Sequence, residues 1–124
     1  MGLIICGSQD CRISIWSIDS KKFKIIKNDP EIIYGHTDWV KTLTVNSSLE
    51  IFVSSDKKNN ILMFSLKSKK LITKLDLESL QSDETNQINL VKIHDNGLIL
   101  VILENNVIGL YKYFIFLSKI CDKF

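Results

Sequence analysis

A short apolar segment that ends in an aromatic residue recurs along the chain. The three copies are Ile13-Ser14-Ile15-Trp16, Ile61-Leu62-Met63-Phe64 and Ile108-Gly109-Leu110-Tyr111. Their aromatics are spaced by 48 and then 47 residues, and each copy follows a polar turn and an earlier apolar run. A repeat of this length predicts stacked copies of one antiparallel unit, because such a unit cannot bury an apolar face alone.

The most complete copy of this unit is the stretch from Tyr34 to Leu66. It contains three short apolar runs, at 40–45, 51–55 and 61–66. The NSSLE and DKKNN clusters between these runs are rich in residues that favour turns. The stretch is therefore predicted to form a three-stranded meander whose apolar faces need neighbouring sheets.

The rest of the chain alternates in the same way between short strands and turns. Strands are predicted at 3–5, 13–18, 23–27, 71–77, 88–93, 98–103 and 107–113, with a polar loop at 78–87. Asn28-Asp29-Pro30 ends the strand at 23–27, because proline has no N–H to donate to a ladder. Convincing helical periodicity is absent, so the chain is predicted to be all-β.

The apolar segment 97–117 is long enough to cross a bilayer as a helix. Glu104, Asn105 and Asn106 lie in its middle, where an acidic side chain is costly in a membrane. The same three residues favour a turn. We therefore predict two strands here and no transmembrane segment.

Composition is typical of a small globular domain. The chain has 124 residues, 45% of them apolar, and its net charge of +2 is too small to indicate a specific nucleic-acid partner. Cys6, Cys11 and Cys121 lack paired spacing, and the N-terminus lacks a signal-peptide pattern. These features predict a reducing, cytoplasmic compartment, and we expect no cofactor or metal ion.

Two segments resemble the WD-repeat family of β-propellers. Gly35-His36 followed by Asp38-Trp39-Val40 is similar to the signature that opens a blade in that family. The segment LIICGSQDCRISIW resembles its second strand, turn and third strand. The resemblance implies a buried network of histidine, serine or threonine, aspartate and tryptophan. The matching positions are His36 and Ser54 in the second unit, and Asp10 and Trp16 in the first.

Each unit departs from the family pattern. Phe64 and Tyr111 stand where tryptophan is usual, Lys58 where the turn aspartate is expected, and Cys6 where the strand serine is expected. The resemblance implies a partial propeller of roughly two and a half four-stranded antiparallel blades. Its units span about 3–27, 34–77 and 86–113, followed by a divergent tail at 114–124. Because propellers close with about four to eight blades, we expect a fragment that needs further blades from additional sequence or another chain.

A narrower resemblance is to the C-terminal propeller of BEACH-domain, neurobeachin-like proteins. It is carried by SSLEIFVSS after the first strand of the central unit and by HDNGLILV in the third unit. It implies a non-catalytic protein–protein interaction scaffold of vesicle traffic, cytoplasmic or peripheral to intracellular membranes. The alternatives are an accessory propeller of an enzyme or regulatory complex, and a truncated fragment without its own function.

The residues that could act in catalysis, metal binding or partner contact each have a structural interpretation as well. No second ligand stands at zinc-like spacing from His36, so a hydrogen-bonded histidine inside a blade is the favoured interpretation. Cys6 is expected to be a small buried apolar residue, since no base can be assigned to it. Tyr34 and Trp39 could contact a partner, but core packing against the adjacent blade is favoured. Trp16 is expected to be largely buried between blades in the native assembly.

Five lysines follow two of the predicted third strands and should therefore share one face of a propeller. They are Lys21, Lys22, Lys67, Lys69 and Lys70. Such a patch would attract an acidic protein or anionic lipid headgroups. Ordinary solvated turns are the favoured interpretation of the same residues. The identity of any protein partner is left open by the sequence.

Overall fold

The structure is a computed structural model that describes residues 2–75 and 86–112. Its strands are β1 Gly2–Gly7, β2 Ile13–Asp19, β3 Lys24–Ile25, β4 Glu31–Ile33, β5 Val40–Asn46, β6 Ile51–Asp56, β7 Ile61–Ser65, β8 Leu71–Leu75, β9 Ile88–Ile93, β10 Leu98–Leu103 and β11 Ile108–Lys112. The described residues contain no helix, which confirms the all-β prediction. The predicted strand ends at 76–77 and 113, most of the loop at 78–87 and the tail at 114–124 lie outside the described residues.

The strands form three antiparallel sheets in chain order. The first sheet contains β1 to β4, the middle sheet has the order β5-β6-β7-β8, and the third sheet has the order β9-β10-β11. Each sheet contains consecutive strands joined by turns, as the alternation of apolar runs and polar clusters predicts. Only local connections are therefore needed within a sheet.

The outer edge of the first sheet differs from the prediction. The strand predicted at 23–27 is reduced to β3, which pairs with β2 through Ile18 and Ile25. Pairing with β2 resumes at β4, where Ile33 lies opposite Ile13. The segment ending in Pro30 separates β3 from β4, because proline cannot donate to the ladder. One broken strand thus covers this edge.

The middle sheet is packed between the other two. Every residue of β6 is buried, because successive side chains of a strand point to opposite faces and both faces are covered. Phe52, Leu62 and Phe64 pack against the first sheet. The opposite face of β6 and β7, formed by Ile51, Val53, Ile61 and Met63, packs against the third sheet. The core thus consists of two apolar layers.

The three sheets repeat one hairpin in the same register. Trp16 lies opposite Ile4, Phe64 opposite Phe52, and Tyr111 opposite Ile99. The turns before these third strands also share a left-handed residue. These residues are Cys11, Asn59 and Asn106, with φ angles of 68°, 63° and 66°. The repeat seen in the sequence is therefore a repeat of backbone geometry.

The apolar segment that begins at Gly97 contains β10 and β11, joined by a turn at Glu104. Both strands were predicted, and the acidic and amide residues between them form the turn. Within 2–75 and 86–112 the structure has no helix that is long and apolar enough to span a membrane.

Candidate functional site

A buried three-residue network lies at one end of the middle sheet. His36 stands in the connection between β4 and β5, before the strand that the Gly35-His36 pair was expected to open. Its Nδ1 is 2.9 Å from Asp56 Oδ2, and its Nε2 is 2.6 Å from Ser54 Oγ. The side chains of His36 and Asp56 are 1% and 0% exposed. Ser54 is also fully buried.

Hydrogen-bond chemistry assigns the direction of these contacts. An ionised carboxylate only accepts, so His36 Nδ1–H donates to Asp56, and in the neutral ring Nε2 then accepts from the Ser54 hydroxyl. The other carboxylate oxygen, Oδ1, accepts from the backbone N–H of Lys58 at 2.9 Å and of Asn60 at 3.1 Å. Asp56 therefore ties the β4–β5 connection to the β6–β7 turn.

The family resemblance described above did not identify Asp56. It assigned no acid to the second unit, because Lys58 stands at the expected turn position, and Lys58 is exposed. Asp56 instead ends β6, two residues after Ser54. Residues two apart on a strand point to the same face, so the alternation in Ser54-Ser55-Asp56 was the signal that could have identified it.

Asp10 and Trp16 of the first unit form local contacts. Asp10 accepts from Arg12 Nε at 2.8 Å and from the Arg12 backbone N–H at 3.1 Å. The hydrogen bond from Arg12 holds the pKa of the Asp10 carboxyl below its ordinary value. Trp16 Nε1 donates to Ser14 Oγ at 3.3 Å. In the part of the chain that the structure describes, no hydrogen bond joins Asp10 to Trp16.

The three repeat aromatics differ in burial. Phe64 is 1% exposed and stacks on Phe52 with 5.0 Å between ring centroids. Tyr111 is half-buried and packs against the core between the middle and third sheets. Trp16, expected to be largely buried in the native assembly, is half-buried in the single chain, on the face of the first sheet that points away from the middle sheet. Cys6, expected to be buried, is exposed on that same face, which no sheet formed by residues 2–75 and 86–112 covers.

Tyr34 and Trp39 are exposed, at 71% and 42%, so the interpretation that they pack in the core is wrong. Both lie in the β4–β5 connection, outside the faces that the sheets bury. Lys57 Nζ lies 3.6 Å from the centroid of the Trp39 ring, a cation–π contact. The pKa of the Arg12 guanidinium is raised, chiefly by its hydrogen bond to Asp10 and to a smaller degree by nearby Tyr34.

Backbone hydrogen bonds hold this connection against the turns of two sheets. The Val40 N–H donates to Ser8 O at 3.1 Å, and the Lys57 N–H donates to Trp39 O at 3.0 Å. Gly7 permits this approach, because a side chain at that position would collide with Val40. We call the resulting group of side chains the aromatic edge. It consists of Arg12, Tyr34, Trp39 and Lys57.

The five lysines of the predicted patch lie in the β2–β3 and β7–β8 turns. Lys69 Nζ donates to Glu31 Oε1 at 2.7 Å, so part of its charge is compensated. The Asp19 carboxylate accepts from the backbone N–H groups of Lys21 and Lys22. Acidic groups are therefore interspersed with the lysines at this end of the sheets, which weakens the patch as an anion-binding surface.

A metal site does not emerge among the described residues, since they contain no group of three or more His, Cys, Asp or Glu side chains that could hold an ion. Comparison of the chain with models of protein families and with curated proteins yields no match.

Proposed function

We propose that the chain is a non-catalytic protein-interaction scaffold built as part of a WD-repeat-type β-propeller. The observation that carries the proposal is the stacking of three sheets whose third-strand aromatics share one register. The His36–Ser54–Asp56 network supports it, because it joins the connection before a first strand to the second strand, as the family resemblance implies. The narrower resemblance to BEACH-domain proteins makes vesicle traffic the proposed setting.

The aromatic edge is the proposed partner-binding surface. Tyr34 and Trp39 are exposed, Lys57 lies over the Trp39 ring, and Arg12 is close enough to Tyr34 for the tyrosine to raise its pKa. Tyrosine, tryptophan and arginine are enriched among the residues that dominate the binding energy of protein interfaces, and the two aromatics offer large contact area with few rotamers. A protein segment carrying acidic and apolar side chains would fit this combination of cations and aromatic rings.

A photo-crosslinking experiment tests this surface. Benzoylphenylalanine placed at Tyr34 should crosslink a specific protein in cells that express the chain natively, and the same probe at Phe23 should not. Phe23 is an exposed aromatic in the β2–β3 turn, remote from the aromatic edge, and serves as a matched control. With the captured protein purified, Tyr34→Ala and Trp39→Ala should each weaken binding at least about 30-fold, as for hot-spot residues. Equal crosslinking from both positions would reject the aromatic edge.

The alternative of a serine hydrolase has one observation in its favour. Ser54, His36 and Asp56 are the residue types of a nucleophile–base–acid relay at relay distances. All three side chains are buried, however, so no substrate can reach Ser54 Oγ. A fluorophosphonate probe should therefore leave Ser54 unmodified in the folded protein, as read by peptide mass spectrometry beside a known serine hydrolase. An adduct at Ser54 that disappears in His36→Ala would overturn the non-catalytic assignment.

A further inference from the structure

The outer face of the first sheet is apolar, and none of the described strands covers it. Ile13 and Ile15 point to the middle sheet, so the alternate residues of β2 and those directly opposite them point outward. This open front face is formed by Ile4, Cys6, Ser14, Trp16, Ile18, Ile25 and Ile32. Ile4 is 43% exposed and Ile25 is 51% exposed. None of these seven residues has a charged side chain.

The outer face of the third sheet is also apolar, and no strand of the described residues covers it. Ile99 and Val101 point to the middle sheet, so the alternate residues of β10 and their partners in β9 and β11 point outward. This open back face is formed by Leu90, Leu98, Leu100, Ile102, Ile108 and Leu110, with Lys92 and Lys112 on the neighbouring strands. Ile108 and Leu110 are 59% and 63% exposed.

The two open faces are the two halves of a junction that the chain already makes twice. On the front side, Trp16 corresponds by repeat position to Phe64, which is buried against the first sheet. On the back side, Ile108 and Leu110 occupy the positions of Ile13 and Ile15 in the first sheet. Those two residues are 1% and 3% exposed, because the middle sheet covers them. A front face is thus covered by a back face in both internal junctions.

From this complementarity we propose that a second copy of the chain docks head to tail, with the back face of each copy against the front face of the other. The proposal rests on the proposed propeller architecture. The described residues of two copies supply six sheets, within the range of about four to eight blades that close a propeller, whereas those of three copies would exceed it. Two identical heterologous junctions then close the ring, and both open faces of each copy are buried.

Size-exclusion chromatography with light scattering tests the assembly. The wild-type chain should elute as a particle of twice the chain mass. Trp16→Lys, on the front face, and Leu110→Lys, on the back face, should each weaken self-association at least about 30-fold, because each change places a charge in both junctions. Val45→Lys is the matched control, since Val45 is 45% exposed on the middle sheet and belongs to neither open face.

Mixing the two variants distinguishes the head-to-tail arrangement from symmetric alternatives. Trp16→Lys keeps its back face and Leu110→Lys keeps its front face, so together they retain one intact junction and should form a 1:1 heterodimer. If two front faces met each other, Leu110→Lys alone would remain dimeric. If two back faces met, Trp16→Lys alone would remain dimeric. Either of those results overturns the proposal.

Cysteine alkylation and hydrogen exchange complete the test. Cys6 lies on the open front face, which the second copy covers in the wild type. Its alkylation should therefore be at least tenfold slower in the wild type than in the Trp16→Lys variant. Ile4→Lys is a second front-face variant, for use if Trp16→Lys does not fold. Protection of the β6 amides from exchange reports the internal stack by itself. A monomeric wild type with protected β6 amides would reject the second copy and leave the proposed propeller architecture standing, whereas unprotected β6 amides would reject that architecture.

Discussion

Replacing Phe64 by alanine is expected to lower the free energy of unfolding by about 3 to 5 kcal/mol, the range for deleting a large core aromatic. The reason is that Phe64 is fully enclosed between the first and middle sheets and stacks on Phe52. Urea unfolding followed by circular dichroism at fixed protein concentration measures the change. Phe23→Ala is the control, because Phe23 is 89% exposed and its loss should change stability by less than about 0.5 kcal/mol.

The loss in free energy of unfolding caused by the equivalent substitution, Trp16→Ala, should depend on protein concentration. Trp16 has the same repeat position as Phe64 but lies on a face that no described strand of the single chain covers. We expect its cost to approach about 3 to 5 kcal/mol only where that face is covered, and to be smaller when dilution separates the copies. A small effect of Trp16→Ala under all conditions, with a large effect of Phe64→Ala, would mean that no sheet ever covers the first one.

Replacing Asp56 by alanine is the second change with a large expected effect, a loss of about 3 to 5 kcal/mol, because several donors at a closed site lose their acceptor at about 1 to 3 kcal/mol each. The substitution leaves His36 Nδ1–H without its acceptor inside a closed site. It also removes the acceptor for the backbone N–H groups of Lys58 and Asn60. Thermal and urea unfolding of the purified variant, at the wild-type concentration, measure the loss.

Lys58→Ala is the matched control for this substitution. Lys58 stands where the sequence comparison expected the acid, yet its side chain is exposed. Its replacement should therefore change stability by less than about 0.5 kcal/mol. If Lys58→Ala and Asp56→Ala proved equally harmful, the assignment of Asp56 as the acid of the network would fail.

The two open faces also predict the behaviour of the purified chain. A three-sheet stack with apolar surfaces at each end should self-associate or aggregate in water. The described strand edges add to this tendency, since unpaired backbone groups recruit other strands. This expectation is shared by the head-to-tail dimer and by the fragment interpretation, which are separated by the mass of the wild-type particle and by the variant-mixing experiment.

Local sequence was sufficient for most of the strand plan. The apolar run at 51–55 became β6, Ile51–Asp56, and the run at 88–93 became β9, Ile88–Ile93, because alternation and turn-forming residues act over a few neighbours. The spacing of Trp16, Phe64 and Tyr111 also predicted three equivalent third strands, since similar patterns of apolar and turn-forming residues favour similar hairpins. These features follow from the sequence alone.

Tertiary structure decided which distant groups meet. The His36 ring pairs with the carboxylate of Asp56, which lies twenty residues further along the chain. The turn motif of the family had placed the acid of the network at the position of Lys58. Burial of Phe64, exposure of Trp39 and the two open faces depend on which sheet covers which side. The pattern of a strand specifies that a face is apolar, but only the packing of neighbouring sheets determines whether that face is already covered, because the same hydrophobic gain is available from any complementary surface.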